Sequence, residues 1–130
     1  GIVINPDEDT LFVNYWFSGE TTKLDLASGQ VLAIHQGGRA DNLTFAAGSV
    51  WAAKHDMSIM EYIEGCPPDA TNCFLPFSVH ELDPEDLSEK NLWRFDSTVF
   101  GFGTVAMPVG ESIWFGSAHG DRVARYDIRR

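Results

Sequence analysis

The side chains that could bind a ligand or move a proton recur at comparable places in this chain. Lys54, His55 and Asp56 are contiguous, and His119-x-Asp121 repeats a His–carboxylate pairing much later. Arg39 and Asp41 follow the pair Gly37-Gly38, and Trp16 stands beside Phe17. An imidazole with a carboxylate can ligate a cation or act as acid and base, and the two cations can hold an anion. Taken singly, each residue reads as a solvated loop side chain. Taken together, Trp16, Arg39, Asp41, Lys54, His55, Asp56, His119 and Asp121 form the candidate ligand-binding set. No catalytic role is assigned to any of them. There is no G-x-S-x-G nucleophile motif and no phosphate-binding loop. His35 and His80 fall inside strand-like segments and read as structural.

Cys66 and Cys73 are the two cysteines, in GCPPDATNC. Six residues separate them, two of them proline. A loop this short and turn-rich favours a disulfide, which places the chain in an oxidising, extracytoplasmic compartment, periplasmic or secreted. The alternative is a pair of reduced thiols in a polar surface loop. Two cysteines are too few for a structural zinc site.

What must position these groups is a repeat of short strands, punctuated by Gly, Pro, Asn and Asp. The first unit places strands at Ile2–Asn5, Leu11–Trp16, Thr21–Leu26 and Val31–His35. The second places them at Leu43–Ala46, Val50–Lys54, Ser78–Leu82 and Leu92–Phe95. The third has Thr104–Met107, Ile113–Ser117 and Arg122–Asp127, with no fourth strand. From the start of the second strand to the Asp closing the third is 14 residues in the first unit, Leu11 to Asp25. It is 14 again from Ile113 to Asp127, but 33 from Val50 to Asp83. The middle unit therefore carries 19 extra residues, most of 57–77, with both cysteines among them. Phe12, Trp51 and Trp114 hold one repeat position and read as packing between units. Four-stranded units repeated this way predict an all-β, β-propeller-type fold of antiparallel blades, about three in number. The expected single domain divides into blades at about 1–38, 39–100 and 101–130.

A chain of 130 residues with 44% hydrophobic content can bury a core as one domain. Its net charge of −10 excludes nucleic acid and anionic membrane as preferred partners, and suits cationic ligands or metal ions. The one basic run, Arg129–Arg130, is too short for a nucleic-acid arm. No apolar run is long enough to span a membrane.

The segment LFVNYWFSGETTKLDLASGQVLAIHQGG resembles the repeat of YVTN-type and NHL-like bacterial propellers, which include streptogramin lyase-like and lactonase-like enzymes. GGRADNLTFAAGSVWAAKHD resembles the connection and following blade of the same group. The resemblance spans most of the chain outside the insertion. It implies a propeller whose second-to-third and fourth-to-first strand connections share one rim around a funnel, where all eight candidate residues fall. The insertion leaves from that rim, placed to cover it as a lid or to touch a partner. The expected function is a non-enzymatic module binding a small molecule or protein there. The alternative is a metal-assisted lactonase or lyase using His55, Asp56, His119 and Asp121 with calcium or magnesium, or a fragment of one. Open end blades predict self-association, as a dimer completing a six-blade ring, or continuation by further blades of a longer chain.

Overall fold

The computed structural model describes residues 1–128, and the last two residues of the third expected unit lie outside the described residues. The strands are β1 (Ile2–Ile4), β2 (Thr10–Tyr15), β3 (Glu20–Asp25), β4 (Val31–Gln36), β5 (Ala40–Ala46), β6 (Ser49–His55), β7 (Phe77–Leu82), β8 (Glu89–Phe95), β9 (Val105–Val109), β10 (Ser112–Gly116) and β11 (Ala124–Asp127). They form three antiparallel sheets in simple up-and-down order, β1-β2-β3-β4, β5-β6-β7-β8 and β9-β10-β11. Among the described residues no sheet closes on itself. Every strand expected from the repeat is present, and the largest shifts are at β5, which begins at Ala40 instead of Leu43, and at β8, which begins at Glu89 instead of Leu92.

The repeat has a physical basis in its turns. The Asp25 carbonyl accepts from the Gly29 amide at 2.8 Å, and the Asp25 amide donates to the Gln30 carbonyl at 2.9 Å. Asp83 makes the same pair of bonds with Leu87 and Ser88. Gly29 has φ of +71° there, and Leu87 is held at +60° in the matching place. Leu87 tolerates this left-handed geometry because its side chain is buried between the first and second sheets.

The sheets are stacked face on face, with one core layer in each gap. Phe12 of the first sheet is buried against Ala40, Leu43, Val50, Ala52 and Leu82 of the second. Trp51 of the second is buried in a larger layer with Ala106, Ile113 and Phe115 of the third. Trp114, in the same repeat position, stays 41% exposed because no sheet covers it among the described residues. One aromatic side chain per unit thus points toward the following unit. The expectation of inter-unit packing is met at Phe12 and Trp51 and unfulfilled at Trp114.

The insertion departs from its expected character. It contains a helix, α1 (Ile59–Gly65), started by a reciprocal capping box between Ser58 and Glu61. Cys66 and Cys73 are joined in a disulfide with Cα atoms 5.2 Å apart. Both are buried with Met57 in the layer between the second and third sheets, whereas α1 buries no residue, so the segment is anchored in the core through its cysteines and stays largely exposed elsewhere.

Candidate functional site

Up-and-down order brings the β2–β3, β4–β5, β6–β7, β8–β9 and β10–β11 connections to one end of the stacked sheets. Backbone bonds tie them to one another. The Gly38 amide donates to the Gly19 carbonyl at 3.0 Å, and the His55 amide to the Arg39 carbonyl at 2.9 Å. At the far side the Cys73 amide donates to the His119 carbonyl at 3.0 Å. The Asp121 amide donates to Asn72 Oδ1, also at 3.0 Å.

Four of the eight candidate residues meet directly. Trp16 Nε1 donates to His55 Nδ1 at 3.0 Å. That bond needs a free lone pair on Nδ1, so the neutral ring carries its proton on Nε2. His55 Nε2 is buried and has no hydrogen-bond partner among the described residues. The Asp41 Oδ2 atom lies 3.9 Å from it, too far to accept a hydrogen bond. Arg39 sits over the Trp16 ring at 5.6 Å, and its Nε is likewise buried without a partner among the described residues. Burial pushes the His55 imidazole below its usual range, and the carboxylates of Asp41 and Asp56 oppose this without reversing it. The group therefore presents a neutral imidazole N–H and a guanidinium N–H in an aromatic setting. A groove of about 430 Å³ opens beside it along Asn14, Tyr15, Trp16, Phe17 and Ser18. Phe17 packs edge-on to Trp16 at 5.0 Å and is 82% exposed.

The other candidates form two separate groups. Lys54 pairs with Asp56 at 3.5 Å, and Arg94 reaches the same carboxylate at 3.9 Å. Asp121 is held by Arg122 at 2.6 Å, which keeps its carboxyl below the usual range. His119 stacks on Phe102 at 6.2 Å, and the edge of Phe102 meets His55 at 4.8 Å. Phe102 thus packs against both histidine rings.

Phe102 had no signal in the repeat, because the β8–β9 connection varies in length. The sequence also gave no reason to join His35 and His80. Their rings meet edge to face at 5.8 Å across the first and second sheets. His80 Nδ1 lies 2.6 Å from Glu89 Oε2, and Ser78 Oγ lies 3.3 Å from His80 Nε2. His35 Nε2 is buried without a partner among the described residues.

A second groove of about 430 Å³ runs beside β11, lined mainly by Phe77, Phe95, Val99, Phe115 and Tyr126. It is apolar and holds none of the candidate polar groups.

No protein-family model matches the chain, and no curated protein matches it. Among solved structures it is similar to the crystal structure of the computationally designed Ika8 protein, with a TM-score of 0.62 at 13% identity. That likeness covers 98% of this chain and 32% of the other, so the chain spans about a third of its length. At this identity the likeness concerns the arrangement of the sheets, and carries no activity with it.

Proposed function

We propose that this chain contributes about three blades of a β-propeller and acts as a binding module, without catalysis of its own. The observation that carries this reading is the pair of unpartnered buried donors, Arg39 Nε and His55 Nε2, in one aromatic site at the rim. Buried donors without acceptors are costly, and ligand oxygens that reached them would remove that cost. The ligand class is a small molecule, or the tip of a protein loop, bearing an acceptor group such as a carboxylate. Trp16 and Phe17 would cover its apolar part. The resemblance to YVTN-type and NHL-like propellers belongs to the same proposal, as does an extracytoplasmic location, which the disulfide supports.

Calorimetric titration with citrate, acetate and inorganic phosphate tests the site. Saturable binding of at least one, weakened tenfold or more in Arg39→Met and in His55→Gln, is the expected result. Equal affinity in both variants, or no binding of any probe, would overturn the reading.

The alternative of a metal-assisted lactonase or lyase has less support. The His55 and His119 rings each pack against Phe102, and Asp121 already faces Arg122. Stoichiometric calcium or magnesium, lost together with activity in both His55→Gln and His119→Gln, would favour that alternative instead.

Self-association belongs to the proposed reading. Trp114 and Met107 are exposed on the outer face of the third sheet, and Ile2, Ile4 and Ile34 on that of the first. A second copy stacking third sheet on first would repeat the internal arrangement and could complete a six-blade ring. Further blades of a longer chain would cover the same faces.

A further inference from the structure

We infer that His35, His80 and Glu89 form a binding site for a zinc-class divalent cation that bridges the first and second sheets. One ligand atom from each residue lies within 4.8 Å of the other two. The three come from separate strands, β4, β7 and β8, so their convergence is a product of stacking. His35 pairs with Thr21 on the inward face of the first sheet, and His80 pairs with Ala52 on the facing side of the second.

The donor set is chemically suited. Two imidazoles and one carboxylate are preferred by zinc and its neighbours over calcium or magnesium, which take oxygen ligands. Tetrahedral bonds of about 2.0–2.1 Å set donor atoms about 3.4 Å apart. His80 Nδ1 and Glu89 Oε2, now at 2.6 Å, would open slightly, and His35 would close by about an ångström. Glu89 is partly exposed and can supply both that movement and an access path from solvent. A cation would take the place of the proton between His80 Nδ1 and Glu89 Oε2, and the neutral His80 ring would then carry its proton on Nε2, toward Ser78 Oγ. The cation would also give the buried His35 Nε2 the partner it lacks. Water would take the fourth position. The Lys54 ammonium is near enough to act on both imidazoles and opposes a cation, so affinity is set by imidazole coordination and not by surrounding charge.

Titration of the purified chain with zinc chloride near pH 7.5, in chelator-free buffer, tests the site by calorimetry and thermal shift. The expected result is one saturable zinc per chain with a raised melting temperature. His35→Gln and Glu89→Gln should each weaken it at least about tenfold, while His55→Gln and His119→Gln leave it unchanged. Glu89→Gln alters a partly exposed residue and guards against loss of fold as the cause. No saturable zinc binding, or binding that survives His35→Gln, would overturn the inference.

Discussion

Removing the disulfide should destabilise the whole domain and not merely loosen one loop. Cys66 and Cys73 are seven residues apart and close a ring of eight residues. Releasing a ring that small restores chain entropy to the unfolded state worth about 2.5 kcal/mol at 25 °C. For 130 residues the unfolding entropy is about 270 cal/mol/K, so this corresponds to a fall of about 9 °C in melting temperature. Cys66→Ala/Cys73→Ala adds a small cavity, because both sulfurs lie in the core layer with Met57 and Phe77. Scanning calorimetry of this variant, and of the native chain with and without a reductant, measures the effect. The Asp121 amide reports locally, since it donates to Asn72 within the closed loop. Its hydrogen exchange should quicken in the variant. A melting shift below about 3 °C would refute the argument. It would mean that core contacts alone fix the insertion, or that the unfolded chain is already compact there.

Other outcomes follow from burial and backbone geometry. His55 has its proton affinity lowered by burial, so it contributes no penalty above its unfolded value of 6.5. Stability should fall as pH drops below that value, through the lower folded one. In metal-free buffer, melting temperature between pH 8 and pH 5 should decline less in His55→Gln than in the native chain. Leu87→Ala should cost about 3 kcal/mol in urea unfolding, since the side chain is 1% exposed. Leu87→Gly should cost no more than Leu87→Ala, because φ of +60° removes the usual penalty for glycine. Trp51→Ala should cost about 3–5 kcal/mol, whereas Trp114→Ala should cost less than about 1 kcal/mol. Light scattering should show that Trp114→Ser shifts the chain toward monomer, and a native chain that is monomeric at high concentration would refute the ring-completing contact.

Particular residues show how far the site was readable. Trp16, Arg39, Asp41 and His55 could be grouped because strand count alone assigns connections to one end of an up-and-down sheet. Their contacts could not be ordered, because a connection's sequence does not say which side chain turns inward. His119 and Asp121 illustrate the limit. They share the rim with His55, yet His119 packs on Phe102, which packs in turn on His55. The insertion was located by counting, but its helix and its buried cysteines were not. Seven helical residues carry too little periodicity to stand out, with Gly65 inside the helix and Pro67-Pro68 just after it.

The sequence by itself determined the local architecture. The recurring turn residues, the alternation within strands and the spacing from strand to Asp all depend on neighbours within one hairpin. The short cysteine loop is local in the same way. Only the tertiary structure decided what happens between sheets. Phe12, Trp51 and Trp114 are equivalent along the chain, and stacking alone makes two of them core and leaves the third at a surface. His35, His80 and Glu89 meet for the same reason. The repeat fixes which strand each residue occupies, but the stacking of separate sheets fixes which of them face one another, and no interval along the chain encodes that distance.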